Sequence, residues 1–227
     1  MSLPRPLILV GPSGAGKTTI ASRLVRGYPE RFRFSVSATS RAPRGRERSG
    51  REYSFVSREE FKEMIASGEL AEWAQVHGEY YGTPVDNLTG LAEEGTVPVL
   101  DIDVQGARQV MRRGIDALVI FILPPGTAQW LTRLTGRGTE SAEGIVRRLH
   151  TAREELRKAT TFEEHVVNQD LGEAVRKVLE IADGRAGKGA RDRRVEELCR
   201  ELDAGATAEI GRIRGRGVAD EIRKEET

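Results

Sequence analysis

A stretch of eight residues near the start of the chain combines glycine, lysine and threonine at the spacing of a phosphate-binding loop. It matches the pattern G-x-x-x-x-G-K-[ST] and consists of Gly11, Pro12, Ser13, Gly14, Ala15, Gly16, Lys17 and Thr18. Glycines let the backbone curl so that successive N–H groups point at phosphate oxygens, and a following helix adds the positive end of its dipole. We expect Lys17 to reach the β- and γ-phosphates of a nucleoside triphosphate and the Thr18 hydroxyl to bind Mg²⁺. The loop alone fits a GTPase, an ATPase motor or a small-molecule kinase.

The residues around this loop predict the strand and the helix that it needs. Residues 7–10 form an apolar run that stops at Gly11, as in a buried parallel strand, and from Thr18 the apolar residues have helical spacing. Further strands are predicted at 32–36, 53–56, 97–102, 117–123 and 166–167. Further helices are predicted between Ser57 and Gly68 and at 104–111, 127–134, 142–156 and 171–181. Strands that alternate with helices predict an α/β fold with a parallel sheet.

A second candidate site is an arginine-rich loop. Its five arginines lie within eleven residues and are Arg41, Arg44, Arg46, Arg48 and Arg51. Because the loop runs between two predicted strands, we expect its ends to be held in the fold. Guanidinium groups suit bidentate binding of phosphate, and Tyr53, Tyr80 and Tyr81 offer phenolic donors. The spacing alone favours a second phosphate site over a solvated charged loop or an RNA-contacting arm.

The composition of the 227-residue chain excludes several other classes of protein. Its formal net charge of +1 argues against a protein that wraps nucleic acid through bulk charge. The single cysteine, Cys199, excludes an internal disulfide, a cysteine-based zinc site and an iron–sulfur cluster. The longest apolar run is much shorter than the roughly 20 residues of a membrane span, and the N-terminus lacks a signal-peptide core. We therefore expect a cytoplasmic protein without nucleic-acid or membrane partners.

Several blocks of the sequence resemble the guanylate kinases, in the order and at the spacing of that family. They are FSVSATSRAPR at 34–44, GREYSFV at 50–56, ELAEWA at 69–74, YYGT at 80–83, LDIDVQG at 100–106 and LTGRGTE at 134–140. The resemblance covers about residues 5–181. It implies a P-loop NTPase-type parallel sheet core flanked by helices, with an inserted small β-rich GMP-binding region and a helical lid.

The resemblance also implies a domain organisation. The kinase-like domain would be 5–183, with its core at 5–36 and 84–183, its lid at about 133–150 and its GMP-binding region at about 37–83. A linker is predicted at 184–189, within a charged, partly helical C-terminal extension of residues 184–227.

The family transfers the γ-phosphoryl group of ATP to GMP with Mg²⁺, so the resemblance implies ATP as donor, GMP and dGMP as acceptors, and a place in purine nucleotide metabolism. By position, the residues that would hold the GMP phosphate are Arg41, Arg44, Tyr53 and Tyr81. Those that would read the guanine are Ser37, Glu72, Thr83 and Asp103. A carboxylate such as Glu72 can accept hydrogen bonds from the guanine ring N–H and amino group, whereas adenine presents an acceptor there. Such a mismatch can give roughly 10⁴-fold discrimination.

The remaining implied roles concern ATP and the metal ion. Asp101, which ends a predicted strand, would order Mg²⁺ together with Thr18. The lid arginines that would neutralise the migrating phosphoryl group are Arg133, Arg137 and Arg148. Asn168 would contact ATP. The residues implied in catalysis are Lys17, Arg41, Arg137 and Arg148.

Two features depart from the family pattern. Gly45 and Arg46 stand in swapped order after the second phosphate arginine, so we expect a changed turn there. The extension is longer than usual for the family by some forty residues and carries an apolar stripe at Val195, Leu198, Cys199 and Leu202. We expect it to be solvated and partly disordered. Docking on the core and pairing with a second subunit, which would give a homo-oligomer, are the alternatives.

Other functions remain open at this point. A kinase of a phosphorylated sugar would keep the fold, but it would not need Ser37, Glu72 and Thr83 as guanine readers. A non-catalytic guanylate-kinase-like module that binds phosphoproteins would typically lack the phosphate loop or the lid arginines, which are present here. A GTPase would leave the arginine loop unexplained.

Overall fold

The structure, a computed structural model, describes residues 3–76, 78–135, 141–185 and 193–225, and describes side chains as far as residue 215. The chain divides into two units. One contains the chain up to Val10 together with Thr18–Val119, and the other contains Gly11–Lys17 and the chain from Ile120 onward. The boundaries implied by the family resemblance stay a prediction.

The fold is mixed α/β, with parallel strands flanked by helices. As far as residue 112 the elements are β1 (Leu7–Val10), α1 (Lys17–Gly27), β2 (Phe32–Phe34), β3 (Ala38–Thr39), β4 (Ser54–Phe55), α2 (Arg58–Ser67), β5 (Leu70–Val76), β6 (Glu79–Pro84), α3 (Val85–Glu93), β7 (Val97–Asp101) and α4 (Val104–Arg112). They are followed by β8 (Leu118–Leu123), α5 (Thr127–Thr135), α6 (Ala142–Leu156), a 3₁₀ turn (Ala159–Thr161), β9 (Glu164–Val167), α7 (Leu171–Ala182) and α8 (Arg193–Glu225).

Within the first unit, β7 lies between β1 and β2 and pairs with both in parallel. Leu7 is opposite Val99, and Phe32 is opposite Val97. All four residues of β1 are fully buried, as expected for a parallel strand covered on both faces. The predicted parallel strands are therefore confirmed, and β7 ends at Asp101.

A second, mostly antiparallel sheet in the same unit has the strand order β4-β3-β6-β5. Its largest part is the pair of antiparallel strands β5 and β6, which place Glu72 opposite Thr83. A small core of Ala38, Phe61 and Leu70 packs beneath it. The implied β-rich insertion is confirmed, although the hydrophobic pattern alone predicted only the strand near β4.

The ends of α2 follow the sequence prediction closely. The Ser57 hydroxyl accepts a hydrogen bond from the Glu60 N–H, and the Glu60 carboxylate accepts one from the Ser57 N–H, which completes a capping box. Gly68 ends the helix with φ of 75°, the left-handed conformation that glycine adopts without strain. Both predicted caps are confirmed.

The second unit contains the parallel pair β8 and β9, in which Ile120 is opposite Glu164. Ile120, Phe121, Ile122 and Leu123 are fully buried. The predicted helices at 127–134, 142–156 and 171–181 are confirmed, each within one residue at either end. Residues 186–189 of the predicted linker lie outside the described residues. Among the helices that the structure describes, none has the length and apolarity required to cross a membrane.

The expectation of a solvated C-terminal extension is wrong, because α8 packs on α6 and α5. The predicted stripe is largely buried and continues beyond residue 202, so that the buried side chains are Val195, Cys199, Leu202, Ala206 and Ile210. A helix with many charges can still bury one narrow apolar stripe, since charged residues occupy its other faces. Pairing of the extension with a second subunit stays a prediction.

Substituting Leu202 tests this packing. Leu202→Ala removes a fully buried side chain and should lower the free energy of unfolding by about 2–5 kcal/mol, as measured by urea denaturation. Leu198→Ala makes the same change at a half-buried position of the same helix and should cost less. Equally small losses for the two variants would show that α8 is not packed in solution.

Candidate active site

The phosphate loop curls because three of its glycines adopt backbone conformations that other residues rarely reach. Their φ values are 133° at Gly11, 84° at Gly14 and 94° at Gly16. The turn is closed by a hydrogen bond of 3.1 Å from the Ala15 N–H to the Pro12 carbonyl. The loop therefore has the curled backbone that the sequence motif predicts.

Close neighbours hold this curl in place. A Cβ on Gly11 would lie 2.2 Å from the carbonyl oxygen of Ile122, so only glycine fits against β8. On α5, the Trp130 indole Nε1–H donates to the Ser13 carbonyl at 2.8 Å. Trp130 is fully buried, and its ring also lies against Gly14. The loop is thus tied both to a strand and to a helix of its own unit.

Asn168, which directly follows β9, makes a third tie to the loop. Its side chain is buried, and Nδ2 donates to the Ala15 carbonyl at 2.8 Å. A Cβ on Gly16 would lie 2.3 Å from the same nitrogen. The structure therefore assigns Asn168 a contact with the loop backbone, and its implied contact with ATP stays a prediction.

Lys17 folds back over the loop. Its Nζ donates to the Gly11 carbonyl at 2.6 Å and lies 3.4 Å from the Pro12 carbonyl oxygen. The ammonium group is half-buried. This arrangement places a positive charge at the curled backbone, where the phosphates of a nucleotide are expected to bind.

The structure describes two of the three predicted lid arginines, and these two differ in their exposure and contacts. Arg148 on α6 is half-buried, and its Nη2 donates to the Ser13 hydroxyl at 3.0 Å. Arg133 lies on the exposed side of α5. Arg137 lies outside the described residues. Of the two lid arginines that the structure describes, Arg148 is the one with a hydrogen bond to the phosphate loop.

The two predicted metal ligands are in direct contact. The Thr18 hydroxyl, in the first turn of α1, donates to the Asp101 Oδ2 at 2.5 Å. Mg²⁺ prefers oxygen ligands and is usually held by one or two protein groups together with phosphates and waters, so this pair fits it. Within the described residues no group of three or more acidic, histidine or cysteine side chains could hold a metal ion. Water molecules and phosphate oxygens are the further ligands that Mg²⁺ usually takes beside one or two protein groups.

In the arginine-rich loop, Arg41 is the buried arginine, and its side chain is held in place by Glu47. It is 9% exposed, and its Nη1 and Nη2 donate to the two carboxylate oxygens of Glu47 at 2.7 and 2.8 Å. The same carboxylate accepts a hydrogen bond of 2.7 Å from the Arg44 N–H. These bonds, that of Arg41 foremost, lower the pKa of Glu47 to about 2. The role of Glu47 was not predicted from the sequence pattern, although Glu47 is the single acidic residue in the 41–51 loop.

Aromatic side chains surround Arg41. Its guanidinium carbon lies 5.0 Å from the centre of the Tyr53 ring and 5.6 Å from that of Phe55. Tyr53 and Tyr81 meet edge to face with ring centres 5.9 Å apart. The structure thus brings together Arg41, Tyr53 and Tyr81 as predicted, whereas the Arg44 side chain is exposed.

The swapped order of Gly45 and Arg46 has a local explanation. The Glu47 N–H donates to the Arg44 carbonyl at 3.0 Å, which closes a tight turn. Gly45 occupies that turn with φ of 55°, in the left-handed region that favours glycine. The turn thereby places the Glu47 carboxylate against Arg41, and Arg46 is exposed.

Glu72 and Thr83 form a buried polar pair across β5 and β6. Glu72 is 7% exposed and Thr83 is 1% exposed, and the Thr83 hydroxyl donates to the Glu72 Oε1 at 2.6 Å. Burial raises the pKa of Glu72 to about 7, with a further contribution from the charge of Asp103, against the lowering effect of the Thr83 hydrogen bond. A buried carboxylate with one such neighbour still has accepting capacity for a ligand.

The start of α4 supports the position of Glu72. Asp103 caps this helix, and its Oδ1 accepts a hydrogen bond of 2.7 Å from the Gly106 N–H. A Cβ on Gly106 would lie 2.9 Å from the Glu72 Oε2, so glycine lets the carboxylate approach the helix. Gln109 pairs with the backbone N–H and carbonyl of Trp73 at 3.1 and 2.9 Å and thereby holds β5 next to Glu72. The roles of Gly106 and Gln109 were not predicted from the sequence pattern, although Gly106 ends the block at 100–106.

Ser37 precedes β3 and is half-buried. Its carbonyl accepts a hydrogen bond of 2.8 Å from the Ser54 N–H, which helps to align β3 with β4. Glu72, Thr83 and Asp103 are thus brought together, while the implied guanine contact of the Ser37 side chain stays a prediction.

Known proteins are similar to most of the chain. The guanylate kinase family model matches residues 3–184. The guanylate kinase of Trichodesmium erythraeum is 44% identical over 181 residues, which cover 80% of this chain and 97% of that protein. Guanylate kinase 1 of Oryza sativa subsp. japonica is 42% identical over 185 residues, which cover 79% of this chain but only 48% of that longer protein.

The same similarity is found among solved structures. A guanylate kinase from Anaplasma phagocytophilum superposes with a TM-score of 0.63 at 31% identity, covering 87% of this chain and 94% of that one. The family model spans the phosphate loop, the arginine loop and the Glu72–Thr83 pair. From this extent of similarity, we conclude that the chain belongs to the guanylate kinase family.

Proposed function

We propose that this chain transfers the γ-phosphoryl group of ATP to GMP, with Mg²⁺ on the donor phosphates, to give ADP and GDP. The observation that carries the proposal is the buried Glu72–Thr83 pair, because an isolated buried carboxylate is costly unless a ligand or neighbour uses it. Guanine offers two N–H groups on one edge, which suit such a carboxylate. We propose dGMP as a further acceptor, because the assigned residues would contact the phosphate and the base rather than the ribose 2′-hydroxyl.

The donor ATP would be bound by the phosphate loop. Loop N–H groups and Lys17 would hold the β- and γ-phosphates, with Thr18 and Asp101 as the protein ligands of Mg²⁺ and its waters. When bound, Mg²⁺ neutralises charge on the phosphates and orients them. Arg148 would supply further positive charge, together with Arg133 and Arg137.

The acceptor GMP would be bound through its phosphate by Arg41, Arg44, Tyr53 and Tyr81. Two Nη–H donors of Arg41 are used by Glu47 and one by the Ala42 carbonyl, and a guanidinium group carries five N–H donors. Glu47 would therefore set the orientation in which Arg41 presents its other donors to the phosphate. A phosphate oxygen of GMP is already anionic at pH 7, so the attack on the γ-phosphorus needs no general base.

The base of GMP would be read by Glu72 together with Ser37, Thr83 and Asp103. Glu72 would accept hydrogen bonds from the ring N–H and the amino group of guanine. In an AMP complex the ring nitrogen at that position is itself an acceptor, which would face the carboxylate without a proton between them. A phosphorylated sugar lacks the edge with two adjacent N–H donors that guanine offers to this carboxylate, so a sugar kinase is not favoured.

An acceptor panel tests the proposal directly. With ATP and Mg²⁺, GMP should support ADP release in a coupled assay, and AMP and CMP should support it at rates lower by up to about 10⁴-fold. Lys17→Ala protein provides the background rate, since it should retain the fold but lose most turnover. Equal rates with AMP and GMP would contradict the role given to Glu72, and no ADP release with any acceptor would contradict the proposed reaction.

The raised pKa of Glu72 predicts a pH dependence of GMP binding. Below the pKa of about 7 the carboxyl group is mostly protonated and must lose its proton to accept both guanine hydrogen bonds. The dissociation constant for GMP should therefore rise by about tenfold per pH unit below neutral pH and level off above it. Calorimetry in buffers of different ionisation enthalpy should also detect release of a proton on binding at acidic pH.

The matched control for this titration is Glu72→Gln. GMP has a phosphate group that titrates near pH 6. The glutamine variant keeps the pH dependence that this phosphate causes and loses the pH dependence that the Glu72 carboxyl group causes.

The raised pKa of Glu72 also predicts a pH dependence of stability. In the wild type the free energy of unfolding should fall as pH rises from 4.5 to about 7, because over this range the folded state keeps a proton that the unfolded state has lost. Identical pH profiles for wild type and Glu72→Gln would show that Glu72 does not titrate in this range.

Removal of Glu47 tests its role in orienting Arg41. Glu47→Ala should raise the KM for GMP by about tenfold or more, as expected for loss of a hydrogen bond between charged groups, and should change the KM for ATP little. Glu52→Ala is the control, because Glu52 accepts a hydrogen bond from the Arg48 N–H of the same loop. A KM for GMP that falls in Glu47→Ala would show instead that Glu47 competes with the phosphate.

A further inference from the structure

The two helices that carry Arg133 and Arg148 both contact the phosphate loop at Ser13. On α5, Trp130 donates to the Ser13 carbonyl at 2.8 Å. On α6, Arg148 donates to the Ser13 hydroxyl at 3.0 Å. Any displacement of α5 or α6 would therefore be passed directly to the loop that binds the phosphates.

The C-terminal helix α8 packs on these same two helices. The Asp203 carboxylate accepts hydrogen bonds from the Arg153 Nε and Nη2 at 2.8 and 3.3 Å. Arg153 lies on α6, about 1.4 turns after Arg148. Both side chains of this ion pair are partly shielded from solvent, at 18% exposed for Arg153 and 30% for Asp203. The pair thus has the geometry of a bidentate contact rather than that of a loose surface pair.

The contact of α8 with α5 is closer still. A Cβ on Gly205 would lie 2.1 Å from the Thr127 Cγ2, so α8 approaches the first residue of α5 at a distance that only glycine permits. The Thr127 hydroxyl also lies 3.3 Å from the Glu201 carbonyl, to which it donates. Thr127 is one turn before Trp130, which contacts Ser13.

An apolar seam holds α8 in this place. Leu202 and Ala206 are fully buried and flank Asp203 and Gly205 in the sequence, so the polar contacts lie within the packed part of the helix.

The family model ends at residue 184, before α8 begins. This packing is therefore a feature of the present chain outside the matched region.

We propose that residues 193–210 of α8 position α5 and α6 and thereby set the geometry of the ATP-binding loop, with Asp203 and Gly205 as positioning residues. The inference depends on the proposed function, since it assigns the effect to ATP. The physical basis is the short chain of contacts from α8 through α5 and α6 to Ser13. Phosphoryl transfer depends mainly on positioning, so small displacements of the loop affect it strongly.

Two substitutions in the full-length chain test the proposal. Asp203→Asn removes the charge that pairs with Arg153, and Gly205→Leu forces α8 away from Thr127. Each should raise the dissociation constant for Mg²⁺-ATP, measured without GMP, by about 3- to 30-fold, as expected when a packed network that supports a site is disturbed. The dissociation constant for GMP should remain unchanged, because the residues assigned to GMP belong to the other unit.

Matched controls separate positioning from general destabilisation. Gly211→Leu makes the same change on the same helix where a Cβ would meet no atom within 4 Å, and it should leave ATP binding unaltered. Exchange of the two charges in the Asp203→Arg, Arg153→Asp double variant should recover part of the affinity lost in Asp203→Asn. Circular dichroism checks that each variant keeps its helix content.

The outcomes distinguish this proposal from the proposed function. Weaker ATP binding in Asp203→Asn and Gly205→Leu, with GMP binding retained, would support the positioning role. ATP affinities equal to wild type, or ATP and GMP affinities reduced together, would overturn it. Failure of the wild-type protein itself to bind Mg²⁺-ATP would instead overturn the proposed function.

Discussion

The curled backbone of the phosphate loop is the constraint on which the rest of the second unit depends. A loop that turns its N–H groups inward needs glycine conformations, and such a loop keeps its shape only when neighbours hold it. Here the neighbours are the Ile122 carbonyl, the Trp130 indole and the Asn168 amide. The strands β8 and β9 and the helix α5 are therefore arranged around a short segment that has no regular structure of its own.

Two glutamates show how the environment sets the chemistry of one side-chain type. Glu47 is paired with Arg41, which lowers its pKa to about 2 and keeps it charged. Glu72 is buried with Thr83, and burial raises its pKa to about 7. The first carboxylate is suited to orienting a cation. The second is suited to a ligand that brings its own N–H donors, because the bound ligand then replaces the water that the buried group has lost.

The C-terminal helix α8 shows how an addition to a family fold can act on the site without containing any residue of it. Its buried stripe is narrow, and charged residues occupy many of the other positions of the helix. Its contacts fall nevertheless on α5 and α6, which carry side chains that reach Ser13. Residues outside the matched region can in this way influence the position of residues within it.

The phosphate loop, the parallel strands and the caps of α2 were predictable from the residues alone, because these depend on local spacing and on motifs. Most of the other candidate residues followed from the resemblance of the sequence to the guanylate kinases. Three contacts are evident only in the folded chain: Glu47 holds Arg41, Gly106 makes room for Glu72, and α8 is packed rather than solvated. These contacts join side chains whose neighbours depend on how the backbone turns and how the elements pack. A charged residue in a loop or on a helix has the same spacing in the sequence whether its side chain faces water or a partner. Spacing alone could therefore not predict these contacts.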